Sequence, residues 1–176
     1  PKPVPVSPAA RSPESSREVT KTAPAIELEK LPFALNSNWT LDMGRDPVSG
    51  RERCFLRSRT LRIDDGQGGS DISLIFTQDA LRVHTGSNVD FSYEGTGLQV
   101  DAEAPFPLQR LFRETDVVFS ERFDDMKRQF GSGSSATVTL GFWPTWPVTR
   151  TYSARFAIDG YAAASAALQT CDKRLP

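Results

Sequence analysis

The chain has 176 residues and a formal net charge of −1, from 21 Lys+Arg against 22 Asp+Glu, with 38% hydrophobic and 24% charged residues. That size suits one globular domain with a tail and argues against two full domains, and no stretch approaches the ~18 apolar residues a membrane-spanning helix needs. The balanced charge disfavours nucleic acid as a partner, and one His with two Cys leaves little for metal binding or nucleophilic catalysis, so no metal, no cofactor and no catalytic residues are expected.

Residues 1–35 read as a Pro-rich flexible tether. Seven of the 13 prolines fall between Pro1 and Pro32, among Ser, Ala, Thr and mixed charges. Proline fixes φ and removes a backbone donor, so the segment favours polyproline II or disorder over helix or sheet. A short ligand for a partner's groove is the other reading of this segment. Near its end, Ile26, Leu28, Leu31 and Phe33 have the apolar character to latch onto a domain. A chain that begins at Pro1 without Met reads as a processed or excised fragment, with a signal peptide or a lipid-anchored leader expected upstream.

Residues 36–176 read as a single domain. Trp39 to Met43 has the mixed aromatic and apolar character of a first strand, and Arg45 to Gly50 is a turn marked by Pro47 and Gly50. From Arg51 the pattern has a period of two: Cys54, Leu56, Ser58 and Thr60 on one face, Arg53, Phe55, Arg57 and Arg59 on the other. A Gly-rich turn over Asp64–Asp71 leads into strands containing Ile72, Leu74 and Phe76, then Leu81, Val83 and Thr85, then Val89, Phe91 and Tyr93, then Leu98 and Val100. The spacing predicts a helical turn at Pro107–Arg113 and a helix capped by Ser120, with Phe123, Met126 and Phe130 on one face and Gly131 as its stop. Strands over Ala136–Phe142 and Tyr152–Ile158 follow. Asp159 should cap a last helix whose inward face is Tyr161, Ala164, Ser165, Leu168 and Cys171. Short strands joined by turns every eight to twelve residues or so predict a mainly β fold, an antiparallel β-sandwich with two or three short helices including one at the C-terminus.

Cys54 shares a strand face with Leu56, and Cys171 ends the inward stripe of the last helix, so both should point at the core. They meet as a disulfide if that helix crosses the first long strand; two free buried thiols are the alternative. A disulfide implies an oxidising compartment. His84 alternates with Leu81 and Val83 and should face outward. Asp64, Asp65 and Asp71 lack the spacing of a calcium loop and read as part of a plain hairpin turn. The Asn38-Trp-Thr40 triplet matches a glycosylation sequon, a pattern common by chance.

Two binding candidates remain. Trp143-Pro-Thr-Trp-Pro147 places Trp143 and Trp146 in a proline-bounded loop that should leave the sheet after Phe142. Rigid Trp side chains stack on sugar rings or fill a partner's pocket; otherwise they cap the core. Arg53, Arg57 and Arg59, with Arg51, share one strand parity and would form a basic stripe for carboxylate or phosphate, or else guard a solvent-facing strand.

The opening Trp39, Cys54 on an early strand, Leu98-Gln-Val-Asp101, and the aromatic strand running into a helix from Phe156 to Leu168 together resemble the invasion-associated locus B family of bacterial envelope proteins. The chain departs from that pattern in having no second cysteine pair and in its Trp143–Pro147 stretch. The resemblance implies an exported β-sandwich without an active site, periplasmic or lipid-anchored. The expected role is a binding or accessory module for another envelope protein, with glycan or peptidoglycan binding through the Trp loop as the alternative.

Overall fold

The structure is a computed structural model that describes residues 26–144 and 150–175. Its strands, in chain order, are β1 (Phe33–Ala34), β2 (Trp39–Arg45), β3 (Glu52–Ser58), β4 (Leu61–Ile63), β5 (Ser70–Phe76), β6 (Leu81–Thr85), β7 (Val89–Asp90), β8 (Gly97–Val100), β9 (Arg110–Phe112), β10 (Asp116–Phe119), β11 (Ser135–Phe142) and β12 (Tyr152–Ala157). Helix α1 (Phe123–Ser132) precedes β11, and α2 (Tyr161–Asp172) follows β12.

Period-two alternation decides which residues enter the core. Ile72, Leu74 and Phe76 of β5, Leu81 and Val83 of β6, and Val117 and Phe119 of β10 all point one way and are buried. These strands belong to an eight-stranded antiparallel sheet of order β1-β2-β3-β5-β6-β10-β9, in which β4 also pairs with β5. Strand β5 thus takes β3 opposite Ile75 and Phe76 and β4 opposite Ser70 to Ile72, so its edge changes partner along its length. The second sheet is built on β11, which pairs with β12 on one side and with β8 and β7 in succession on the other. Val138, Leu140 and Phe142 of β11 face the same core. The two sheets make the fold a mainly β, antiparallel sandwich.

The helices close one part of this core. Trp39 stacks edge-on against both Phe76 and Tyr161, and Phe130 of α1 meets Phe76 at 4.9 Å between centroids. The Trp39 indole N–H donates to the Ile158 carbonyl at 3.4 Å. Cys54 and Cys171 form a disulfide with Cα atoms 6.0 Å apart, and the Cys54 amide donates to the Asp172 carboxylate at 2.9 Å. The last helix therefore does cross the first long strand.

Several local expectations are corrected. Ser120 does not cap α1; the Gln109 side-chain oxygen accepts the Ser120 and Glu121 amides, and α1 starts after Arg122 in the left-handed region. Gly131 does not stop α1, which runs to Ser132 with Gly133 as its C-cap. Asp159 does not cap α2; Gly160 does so at φ 79°, where an added Cβ would lie 2.5 Å from the Asn36 amide nitrogen. Pro107–Arg113 holds strand β9 instead of a helical turn, because pairing with β10 outweighs the local tendency. Arg113 and Glu114, both at positive φ, make the turn between these strands. Phe91 and Tyr93 lie beyond β7, and the Tyr93 ring packs on Gly141, where a Cβ would meet it at 2.3 Å.

The segment from Ile26 joins the domain. Ile26 is buried, Leu28, Leu31 and Leu35 pack against the core, and Phe33 pairs with Leu41 in the sheet while its side chain stays exposed. The Arg174 guanidinium donates to the Ile26 carbonyl, tying this segment to the end of α2. The expected boundary at residue 36 thus falls within packed structure, and the latch residues begin it.

Candidate functional site

Strand β11 ends at Phe142, and the chain leaves the sheet at Trp143. Trp143 has 63% of its surface exposed, the highest fraction among the described large apolar residues. Its amide donates to the Asn88 carbonyl at 2.9 Å, which pins the backbone beneath the indole. Pairing of β7 with β11 brings Phe91 alongside, and the β9–β10 hairpin brings Leu111 from its first strand and Glu114 from its turn. The Val89 amide donates to the Glu114 carbonyl at 2.7 Å and locks that turn in place. The result is a shallow concavity of about 610 Å³ at the junction of the two sheets, lined by Trp143, Phe91 and Leu111 with Asn88, Asp90 and Glu114. Phe91 and Leu111 are each 37% exposed. The Asn88 side-chain amide donates to Glu114 at 3.3 Å, and Asp90 accepts the Ser92 amide at 2.8 Å. Its apolar floor therefore carries an acidic and amide rim. Trp146 and Pro147 lie outside the described residues.

The Arg53, Arg57 and Arg59 stripe does not form as a single basic surface. Arg53 is paired with Asp79 at 2.5 Å, and Arg57 with Asp42 at 3.0 Å. The Arg53 hydrogen bond pulls the Asp79 carboxyl below the ordinary range. Arg57 also lies over the Phe55 ring at 5.5 Å. Arg59 sits beyond the end of β3 and is exposed. Two of the three charges are thus neutralised locally, and the shared parity does not bring the three together.

His84 faces outward as alternation predicts, but it has a partner the sequence reading missed. Its Nδ1 lies 3.0 Å from the buried Asp116 carboxylate, which also accepts from Arg82 at 2.8 Å. Burial raises the Asp116 pKa, but hydrogen bonds from His84 and Arg82 outweigh it and hold the carboxyl below its ordinary value. Register alone brings the pair together, since β6 and β10 place His84 opposite Asp116. Asp65 accepts the Gln67 and Gly69 amides and the Ser87 hydroxyl, so its oxygens organise the Gly-rich turn. The Ser87 hydrogen bond is the main cause of its lowered pKa.

No family model matches the chain, and no curated protein or solved structure matches it.

Proposed function

We propose that the chain is a non-catalytic binding module of the bacterial cell envelope, periplasmic or lipid-anchored, which docks another envelope protein through the concavity around Trp143. One observation carries the docking surface: Trp143, Phe91 and Leu111, from three separate stretches of chain, expose apolar surface into one concavity. An exposed apolar cluster with a polar rim is the anatomy of an interaction site. The Cys54–Cys171 disulfide is compatible with an oxidising compartment. The export and accessory role rest on the likeness to the invasion-associated locus B proteins. The thin inventory of acids, bases and nucleophiles supports a binding role over a catalytic one.

A second reading has its own support. The Asn88, Asp90 and Glu114 side chains around an exposed indole suit a glycan, whose ring stacks on Trp while its hydroxyls bond to amide and carboxylate groups. One experiment separates the readings: capture from envelope extract by wild type and by Trp143→Ala, before and after protease treatment of the extract. Loss of capture on proteolysis supports a protein partner, and survival supports a glycan. In either case Trp143→Ala should weaken binding by about 2 kcal/mol or more. Its melting midpoint should stay within about 2 °C of wild type, as expected for a largely exposed side chain. Unchanged capture, or a large drop in the midpoint, would remove this concavity as the site.

A further inference from the structure

The outer face of the larger sheet holds a second cleft, separate from the Trp143 concavity. Register aligns Arg57, Ile75, Arg82, Val118 and Arg110 in one row across β3, β5, β6, β10 and β9. Ile75 and Val118 point away from the sandwich core, where alternation ordinarily places polar groups, yet each is only 2% exposed. They floor a cleft of about 290 Å³ whose walls include Arg53, Arg82, Arg110 and the Asp46–Arg51 turn.

The charges in this cleft are unequal in their commitments. Asp79 is held by Arg53 at 2.5 Å and by the Thr77 hydroxyl at 2.8 Å. Asp46 accepts the Val48 and Ser49 amides of its own turn, at 3.2 and 2.9 Å. Arg82 gives one guanidinium nitrogen to Asp116, on the neighbouring outward position, and its remaining N–H groups have no partner among the described residues. Arg110 has no carboxylate partner among the described residues. Arg53 is matched by Asp79 and Arg82 by Asp116, so the guanidinium without a carboxylate partner among the described residues is Arg110, which stands beside the open N–H groups of Arg82 above an aliphatic floor.

We propose that this cleft binds a small aliphatic carboxylate, with the anion on Arg110 and Arg82 and the alkyl group over Ile75 and Val118. The fork of a guanidinium matches a carboxylate's two oxygens. A volume near the low end for ligand pockets selects a small molecule. The acids already in the cleft disfavour a dianion, and the apolar floor disfavours a fully hydrated one.

The test uses the full chain and 4-methylpentanoate, followed by amide-resolved NMR titration at low salt, with inorganic phosphate and 4-methylpentanol as comparison probes. Saturable shifts should centre on Ile75, Arg82 and Val118, and both comparison probes should bind at least about tenfold more weakly, as the loss of charge-assisted hydrogen bonds or of apolar burial requires. Arg110→Gln should weaken 4-methylpentanoate by about tenfold with no change in melting midpoint. Asp79→Asn, which releases Arg53, should tighten it severalfold. Phosphate binding as tightly as 4-methylpentanoate, wild-type affinity in Arg110→Gln, or no saturable shift at these three positions would each overturn the proposal.

Discussion

Replacing Cys54 and Cys171 together by Ala tests whether the crosslink or the packing holds α2 in place. The bond joins residues 117 apart in sequence. Loop-closure entropy for a loop of this length gives about 5 kcal/mol at 25 °C, with native disulfides in practice contributing about 2–5 kcal/mol. In a domain of this size each kcal/mol moves the melting midpoint by about 2–4 °C, so a fall of roughly 5–20 °C is expected. Both cysteines are consumed by the bond, so protein denatured without reductant should take up no thiol reagent. The remaining ties of α2 include Tyr161 against Trp39, Phe76 and Phe130, buried Ala164 and Leu168, and the Asp172 bond to the residue 54 amide, which the substitution leaves intact. Calorimetry of the double variant and of the reduced wild type should therefore agree. A double variant melting within about 2 °C of wild type would show that packing alone holds α2, and that loop closure contributes far less than the chain-entropy argument requires.

Two further outcomes follow from the packing. A chain starting at residue 36 should be less stable than one starting at residue 26 by about 3 kcal/mol, because it loses a buried Ile, the β1–β2 pairing and the Arg174 bond to Ile26; equal urea midpoints would mean that the latch contributes nothing. Asp116→Asn should lower stability at pH 7 by about 3 kcal/mol, since Arg82 is only 13% exposed and loses its counter-charge. The Asp116 pKa is lowered on folding, so its contribution is fully present above the ordinary carboxylate value and is lost as pH falls through the folded value. The gap between wild type and variant, read from urea melts, should accordingly shrink below about pH 4, whereas a gap constant down to pH 2.5 would contradict the assignment.

What could be read from the chain alone divides along one physical line. Alternation is local: Ile72, Leu74 and Phe76 had to share a face, and so did Leu81 and Val83, whatever lay beside them. The inward positions of Cys54 and Cys171 followed from the same periodicity, and their pairing needed only the helix to cross the strand. Strand neighbours are set by long-range pairing, which no local pattern carries. Asp116 was therefore not visible as the partner of His84, 32 residues earlier, nor were Phe91, Leu111 and Glu114 visible as neighbours of Trp143. The capping residues were misjudged for a related reason: Gln109, which accepts the Ser120 and Glu121 amides before α1, and Asn38, whose side-chain amide donates to the Asp159 carbonyl before α2, come from other parts of the chain.

The arginine stripe shows how this distinction shapes a site. Residues of one parity along a strand, such as Arg53 and Arg57, are about 13 Å apart at four positions of rise, whereas cross-strand neighbours lie about 5 Å apart. Shared parity thus spreads charges along a strand, and pairing gathers them across strands. Arg57 is matched by Asp42 on the adjacent β2, two residues from its direct partner Thr40 along the diagonal of the ladder. Arg82 and Arg110, which carry no parity relation to Arg53, flank Val118 because β6 and β10 and then β10 and β9 align there. A basic site on a sheet is a property of the strand order, and in this fold the strand order moves it from the β3 stripe to the row crossing β6, β10 and β9.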